Sequence, residues 1–247
     1  MRKFTCTALL LGALPALPLP AAAAAQVEET QPNDGGQQDR AAQDRDALNA
    51  AMAHIRAGEP ARAIPLLDPL LARFDAENAD ETRNVYCAQN QQMMILYSAL
   101  GRQAEGNRDT QVLDSTWCTA LWMKGFALID LERPEEALGY YRRATELSPF
   151  SPQYFVELGY AYKELGQWEE SAKAYRQAAE GAQMAFQDEE RDRWLRRAWY
   201  GEAYAFIELG RWAEAEALLR KCLEVAPGDE KVLSELRYIA ENRTDGK

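Results

Sequence analysis

Residues 162–178, YKELGQWEESAKAYRQA, join an apolar segment to an amphipathic one through the dipeptide Leu165–Gly166. Two further stretches have the same design: residues 128–149, LIDLERPEEALGYYRRATELSP, and residues 206–227, FIELGRWAEAEALLRKCLEVAP. In each, the turn is followed by a proline or tryptophan and then by acidic residues, which are typical of the first turn of a helix. The sequence therefore predicts a helix–turn–helix unit that occurs three times.

The three units, counted from Cys118, Pro152 and Arg196, place apolar or small residues at matching positions. Positions four, eight and eleven of the first helix and positions twenty, twenty-four and twenty-seven of the second recur at helical spacing. The smallest residues fall at position eight, which is Gly125, Gly159 or Ala203. We expect each helix to carry one apolar stripe, and the two helices of a unit to cross closely at position eight.

This pattern resembles the tetratricopeptide-repeat family, whose motif is a helix–turn–helix unit of 34 residues. The resemblance is specific over residues 118–227 and looser over residues 40–117. It implies an all-α fold, a right-handed superhelical stack of antiparallel helix pairs. The third unit begins 44 residues after the second, and its additional residues fall around 179–195. Because Asp188, Glu189 and Glu190 indicate a helix start, we expect longer helices there and no loop.

The flanking regions are interpreted from weaker patterns. Residues 46–74 predict a helix pair that turns at Gly58, residues 80–100 predict another helix, and residues 103–113 predict a poor partner for it. Residues 228–247 are assigned to an amphipathic capping helix and tail, because a repeat stack must cover its terminal apolar face. From about residue 40 to residue 243 we expect almost only helix, and no sheet.

The N-terminal residues predict export. Arg2 and Lys3 precede an apolar segment and a run of alanines that ends at Ala25, which is the pattern of a secretory signal peptide over residues 1–25. Residues 26–39 are polar and are expected to be a disordered leader. The predicted location is therefore periplasmic or extracellular, with no membrane span in the mature chain.

Composition and residue types argue against several functions. The chain has 39 acidic and 28 basic residues and a formal net charge of −11, which disfavours nucleic acid as a partner. His54 is the only histidine, and neither a zinc-ligand cluster nor a phosphate-binding glycine loop occurs. We therefore predict a protein that is not an enzyme and needs no cofactor or metal.

The family resemblance implies that the first helices line a concave groove that binds a peptide or protein segment. The partner-binding residues predicted on those helices are Trp122, Phe126, Val156, Tyr160, Lys163, Arg197, Tyr200 and Tyr204. Aromatic and arginine side chains dominate binding energy at interfaces, although some of these rings could instead pack only against neighbouring helices. The asparagines of the family's C-terminal carboxylate clamp are missing. The alternative function is a self-associating scaffold of an envelope assembly, and the oligomeric state is left open.

Three cysteines remain after the predicted cleavage. Cys222 replaces a small core residue and is expected to be a buried, inert thiol. Cys87 and Cys118 are expected near the N-terminal ends of successive first helices, where regular stacking at roughly 8–10 Å holds them slightly too far apart for a disulfide. An irregular junction between them could bring them closer, so the sequence leaves this bridge undecided.

Overall fold

The computed structural model describes residues 34–79, 82–103 and 109–243. Within these ranges the chain forms ten helices and two short strands. In chain order they are α1 (Asp34–Arg56), α2 (Pro60–Glu77), β1 (Asn84–Cys87), α3 (Gln91–Gln103), β2 (Thr110–Leu113), α4 (Thr116–Asp130), α5 (Pro134–Leu147), α6 (Pro152–Glu164), α7 (Trp168–Ala185), α8 (Asp188–Glu208), α9 (Trp212–Val225) and α10 (Glu230–Asn242). The all-α stack of helix pairs is confirmed.

The three repeat units correspond to the pairs α4–α5, α6–α7 and α8–α9. Gly166 and Gly210 end the first helices of the second and third units with φ of +66° and +71°, a conformation that suits glycine. In the first unit Glu132 adopts the same conformation, with φ of +59°. The second helices α5 and α9 end just before Pro149 and Pro227, as the sequence predicts.

Close helix crossing at position eight follows from the absence of a side chain. A Cβ atom added to Gly125 would lie 2.6 Å from the Tyr141 ring, and one added to Gly159 would lie 2.9 Å from the Tyr175 ring. Each tyrosine therefore occupies the space that the glycine of its own unit leaves free. This contact brings the two helices of a unit together in the buried core.

The additional residues between the second and third units lengthen two helices. Helix α7 has 18 residues and α8 has 21, and α8 begins at Asp188 with three acidic residues in its first turn. The chain changes direction between Phe186, which is extended, and Asp188, which has φ of +49°. The prediction of long helices around residues 179–195 is confirmed.

The prediction that the chain has no sheet is wrong. Strands β1 and β2 pair in parallel, with Asn84 opposite Thr110 and Cys87 opposite Leu113, and α3 forms the crossover between them. Residues 80–100 therefore do not form one helix, and residues 110–113 are not helical. Val85, Tyr86 and Val112 are β-branched or aromatic residues that favour a strand, and only their pairing across 26 residues makes that preference decisive.

This β1–α3–β2 insertion is fastened to the repeat stack. Cys87 forms a disulfide with Cys118 at the start of α4, with the two Cα atoms 6.2 Å apart. Cys87 lies on a strand, and not on a first helix as expected, so the spacing of stacked helices does not apply to it. The Tyr97 hydroxyl on α3 lies 3.0 Å from Ser148 Oγ, which donates to the carbonyl of Cys87 at 2.8 Å. Burial raises the pKa of Tyr97 to about 12.

Both ends of the stack differ in part from expectation. Helix α1 already begins at Asp34, so residues 34–39 are helical although the sequence assigned them to a disordered leader; the rest of the leader and the signal peptide lie outside the described residues. Arg73 of α2 binds Asp44 of α1 at 2.6 Å, which holds this polar helix against the stack.

None of the helices in the described ranges is long and apolar enough to cross a membrane.

The C-terminal capping helix is confirmed. Asp229 precedes α10 and accepts hydrogen bonds from the backbone N–H groups of Lys231 and Val232 at 3.0 and 3.4 Å. Val232 and Ile239 are buried against the last repeat. The helix thus covers the apolar face that α9 would otherwise expose.

Candidate functional site

The first helices α6 and α8 enclose a cavity of about 460 Å³, which we call the groove cavity. Six of the eight residues predicted to bind a partner line it: Val156, Tyr160, Lys163, Arg197, Tyr200 and Tyr204. They come from two consecutive repeats, because equivalent positions of stacked helices face the same side. The floor is supplied by Tyr175 of α7, and one wall includes Lys231 of α10.

Trp122 and Phe126 lie on α4 and do not line the groove cavity. Their ring centroids are 6.0 Å apart, and both side chains are half-buried against the core. The structure therefore does not place all the predicted aromatic residues around one cavity. For Trp122 and Phe126 the alternative of packing against neighbouring helices fits the observed contacts.

Lys163 lies between two of the predicted tyrosines. Its Nζ atom is 4.7 Å from the centroid of the Tyr160 ring and 5.4 Å from that of Tyr204, within the range of cation–π attraction. It also pairs with Glu164 at 3.4 Å. Lys163 therefore connects α6 to α8 and orients both rings, and it is more constrained than a solvated charge at the edge of a groove.

Small residues let the tyrosine on the floor reach the cavity. A Cβ atom on Gly201 would lie 2.4 Å from the Tyr175 ring, so α8 can pass over this ring only with glycine at that position. Burial raises the pKa of Tyr175, which stays a neutral phenol at physiological pH. An uncharged aromatic surface thus forms the base of the site.

One carboxylate enters the cavity beside these rings. The Glu157 side chain is only 15% exposed, and its closest cation is Arg197, with an N–O distance of 3.7 Å. Burial raises the pKa of Glu157, while the Arg197 charge and the Trp122 side chain oppose the rise. The cavity therefore contains an ionisable acceptor that is only partly compensated by its neighbours.

The wall formed by α10 adds further polar groups. The Tyr200 hydroxyl donates to Glu235 at 3.2 Å, and burial together with this carboxylate raises the pKa of Tyr200 to about 12. Arg196 forms an ion pair with Asp229, the residue that caps α10. The capping helix thus does more than cover the stack, because it supplies part of the candidate site.

The sequence did not indicate five of the lining residues. Tyr175 was interpreted as a core residue, and Lys231 belongs to the cap. Glu157, Arg196 and Gly201 lie outside the groove positions of the motif. One signal was available for Tyr175, since the hydroxyl of a tyrosine at a core position usually requires a polar partner or an opening to solvent. The others depend on how α6, α8 and α10 dock, which no repeat pattern specifies.

The histidine considered for chemistry lies elsewhere. His54 Nδ1 is 2.9 Å from the Glu59 carboxylate in the turn between α1 and α2, and this contact, with Arg62, lowers the pKa of Glu59. Among the residues that the structure describes, no three His, Cys, Asp or Glu side chains are grouped so that they could hold a metal ion.

Comparison with known proteins agrees with the repeat geometry. Family models described as tetratricopeptide repeat match residues 123–188 and residues 196–239. These two ranges of the chain are therefore tetratricopeptide repeats. A search of curated proteins gave no match.

Solved structures of MamA show the same fold, and other repeat domains match part of the chain. MamA from Desulfovibrio magneticus RS-1 is 14% identical and superposes with a TM-score of 0.53 over 82% of this chain and 86% of that one. The first TPR domain of Spaghetti (RPAP3), bound to an HSP90 peptide, is 21% identical and has a TM-score of 0.46 over 52% of this chain and 94% of that one. The Yersinia enterocolitica chaperone SycD, in complex with a YopD peptide, is also 21% identical, with a TM-score of 0.42 over 49% and 90% of the two chains. At 14% identity the likeness to MamA concerns the fold alone.

Proposed function

We propose that the protein is an interaction module that binds a peptide or a protein segment in the groove cavity. The observation that carries this proposal is the set of tyrosines on α6 and α8, three of which, Tyr160, Tyr200 and Tyr204, line one cavity. Large, rigid aromatic side chains that are only partly covered are the usual anchors of protein interfaces. The Arg197 side chain, which is 46% exposed, adds a polar contact at the opening.

The experiment begins with the mature protein as bait in an envelope extract and identifies retained proteins by mass spectrometry. The affinity of the identified partner is then measured for Tyr160→Ala and Tyr204→Ala. Loss of a central aromatic anchor typically costs about 2 kcal/mol, so we expect about thirtyfold weaker binding.

Tyr238→Ala is the matched control. Tyr238 is 47% exposed on α10 and packs on Trp212, away from the groove cavity. Circular dichroism must show equal helicity for all variants. If all three variants bind the partner with the affinity of the unmodified protein, the groove is not the binding site.

A second candidate function, self-association as a scaffold, is favoured by one surface. Ile95 of α3 is 63% exposed and lines a cavity of about 650 Å³ with Leu96 and Phe186, where α3 meets the end of α7. Light scattering of the mature protein tests this candidate. An oligomer that Ile95→Glu converts to a monomer would support it, and a monomer at all concentrations would exclude it.

We also propose that the protein is exported and acts in the periplasm or outside the cell, without catalytic activity. The N-terminal pattern over residues 1–25 supports export, and the Cys87–Cys118 disulfide is consistent with an oxidising compartment. Cleavage is expected between Ala25 and Gln26. Amino-terminal sequencing of the exported fraction tests this, and an intact Met1 in that fraction would contradict it.

A further inference from the structure

Glu157 stands out among the residues of the groove cavity because it is a nearly buried carboxylate next to open space. Its side chain is 15% exposed, and it lines a cavity of about 460 Å³. An ionised carboxylate offers about four acceptor sites, and leaving them unused in a low-dielectric site is unfavourable. Such a group is usually matched by a donor.

Its neighbours within the protein meet this requirement only in part. The Arg197 guanidinium is 3.7 Å away, which is too long for a hydrogen bond. The Trp122 indole faces Glu157 as a hydrogen-bond donor and so lowers the pKa of this carboxyl, but the contact does not reach the geometry of a full hydrogen bond. Acceptor sites of the carboxylate are therefore left for a group that enters the cavity.

The surrounding charges restrict which group can enter. Lys163 and Arg196 also line the cavity but are paired with Glu164 and Asp229. Arg197 lies beside Glu157 and Lys231 lines the same cavity, so a further cation next to Glu157 would be repelled by these two charges. A carboxylate in contact with Glu157 would place two like charges together in a desolvated site. An uncharged hydrogen-bond donor avoids both penalties.

We propose that Glu157 is the specificity-determining residue of the groove and selects an uncharged hydrogen-bond donor in the bound segment. The donors that fit are the side-chain amide of Asn or Gln, the indole of Trp, or a hydroxyl group. The neighbouring rings of Tyr160 and Tyr175 hold the apolar part of that side chain. This proposal rests on the proposed function, since it concerns a segment bound in the same cavity.

The test is selection from a random peptide library, with constant residues on both sides of the variable region so that no free terminus is presented. Three forms of the mature protein are used as bait: unmodified, Glu157→Gln and Glu146→Gln. Glu146 is the matched control, because it lies on α5 with a side chain that is 64% exposed and does not line the groove cavity. Thermal denaturation confirms that all three are folded.

We expect the unmodified protein and Glu146→Gln to select one position rich in Asn, Gln, Trp, Ser or Thr. Glu157→Gln should lose this preference and accept acidic residues there, because Arg197 loses its counter-charge. A synthetic peptide of the selected sequence should bind Glu157→Gln about tenfold more weakly, since the charged acceptor is replaced by a neutral amide oxygen. Replacing its donor residue by Leu should weaken binding to the unmodified protein at least as much, and should weaken binding to Glu157→Gln clearly less, because the amide oxygen of that variant is a weaker, neutral acceptor.

The possible failures are distinguishable. If the unmodified protein selects no peptide that depends on Tyr160, the groove function and this inference both fall. If it selects peptides that Tyr160→Ala no longer binds, but Glu157→Gln selects the same sequences, the groove binds segments and Glu157 is not its specificity determinant. Selection of Lys, Arg, Asp or Glu at the Glu157-dependent position would also overturn the inference.

Discussion

Reduction of the disulfide between Cys87 and Cys118 is expected to destabilise the protein measurably without removing any atom from its core. The bridge closes a segment with a sequence separation of 31 residues. In the chain-entropy model, a closed loop of this length restricts the unfolded chain enough to stabilise the folded protein by about 3.7 kcal/mol. For a domain of this size, that loss corresponds to a decrease in Tm of about 7–15 °C.

The assay is thermal unfolding followed by far-ultraviolet circular dichroism, with and without a phosphine reductant. The unmodified protein should have a lower Tm with the reductant than without it. The double variant Cys87→Ala with Cys118→Ala should give the same Tm in both conditions, and its Tm should lie somewhat below that of the reduced protein because two buried sulfur atoms are missing.

Cys222→Ala provides the matched control. Cys222 is fully buried in the third repeat, and burial raises the pKa of its thiol to about 12, so it resists oxidation. This variant should keep the full response to reductant. Thiol titration of the denatured mature chain should find one free thiol before reduction. Three free thiols, or a Tm that reductant does not change, would refute the reasoning.

Two further predictions concern packing and charge. Gly125→Ala should lower the free energy of unfolding by about 1–3 kcal/mol, because the new Cβ would lie 2.6 Å from the Tyr141 ring. Gly139→Ala, on the open face of α5, should instead raise it by up to about 1 kcal/mol. Urea unfolding measures both variants, and equal effects would contradict the close helix crossing at Gly125. Arg176→Ala should cost about 1–2 kcal/mol at neutral pH. The Arg176 side chain is 53% exposed, so water weakens this ion pair, but its removal leaves the Glu202 carboxylate, 6% exposed and 2.8 Å away, without its partner. Burial raises the pKa of Glu202, so this carboxyl is protonated at a higher pH in the folded protein than in the unfolded chain. A neutral Glu202 does not need Arg176, and the stability lost in Arg176→Ala should therefore shrink as the pH falls through that raised pKa. A loss that is constant down to about pH 4.3, the ordinary glutamate value, would contradict this explanation.

The repeat architecture could be predicted from the sequence because its determinants are local. Helical spacing of apolar residues, glycine or proline at helix ends and acidic residues in first turns act within a few residues of each other. The turn at Gly166, the helix start at Asp188 and the cap at Asp229 each follow from such a signal. Six of the eight predicted groove residues line one cavity for the same reason, since equivalent positions of stacked units face one side.

Contacts between distant residues decided the remainder. The segment around Val85 becomes a strand only because it pairs with the segment around Val112, and that pairing places Cys87 beside Cys118. Likewise, Glu157 enters the groove cavity and Lys231 completes its wall through the docking of α8 and α10. Local sequence sets the backbone preference and the apolar stripe of each element, but pairing and docking depend on shape and charge that only the assembled chain brings together.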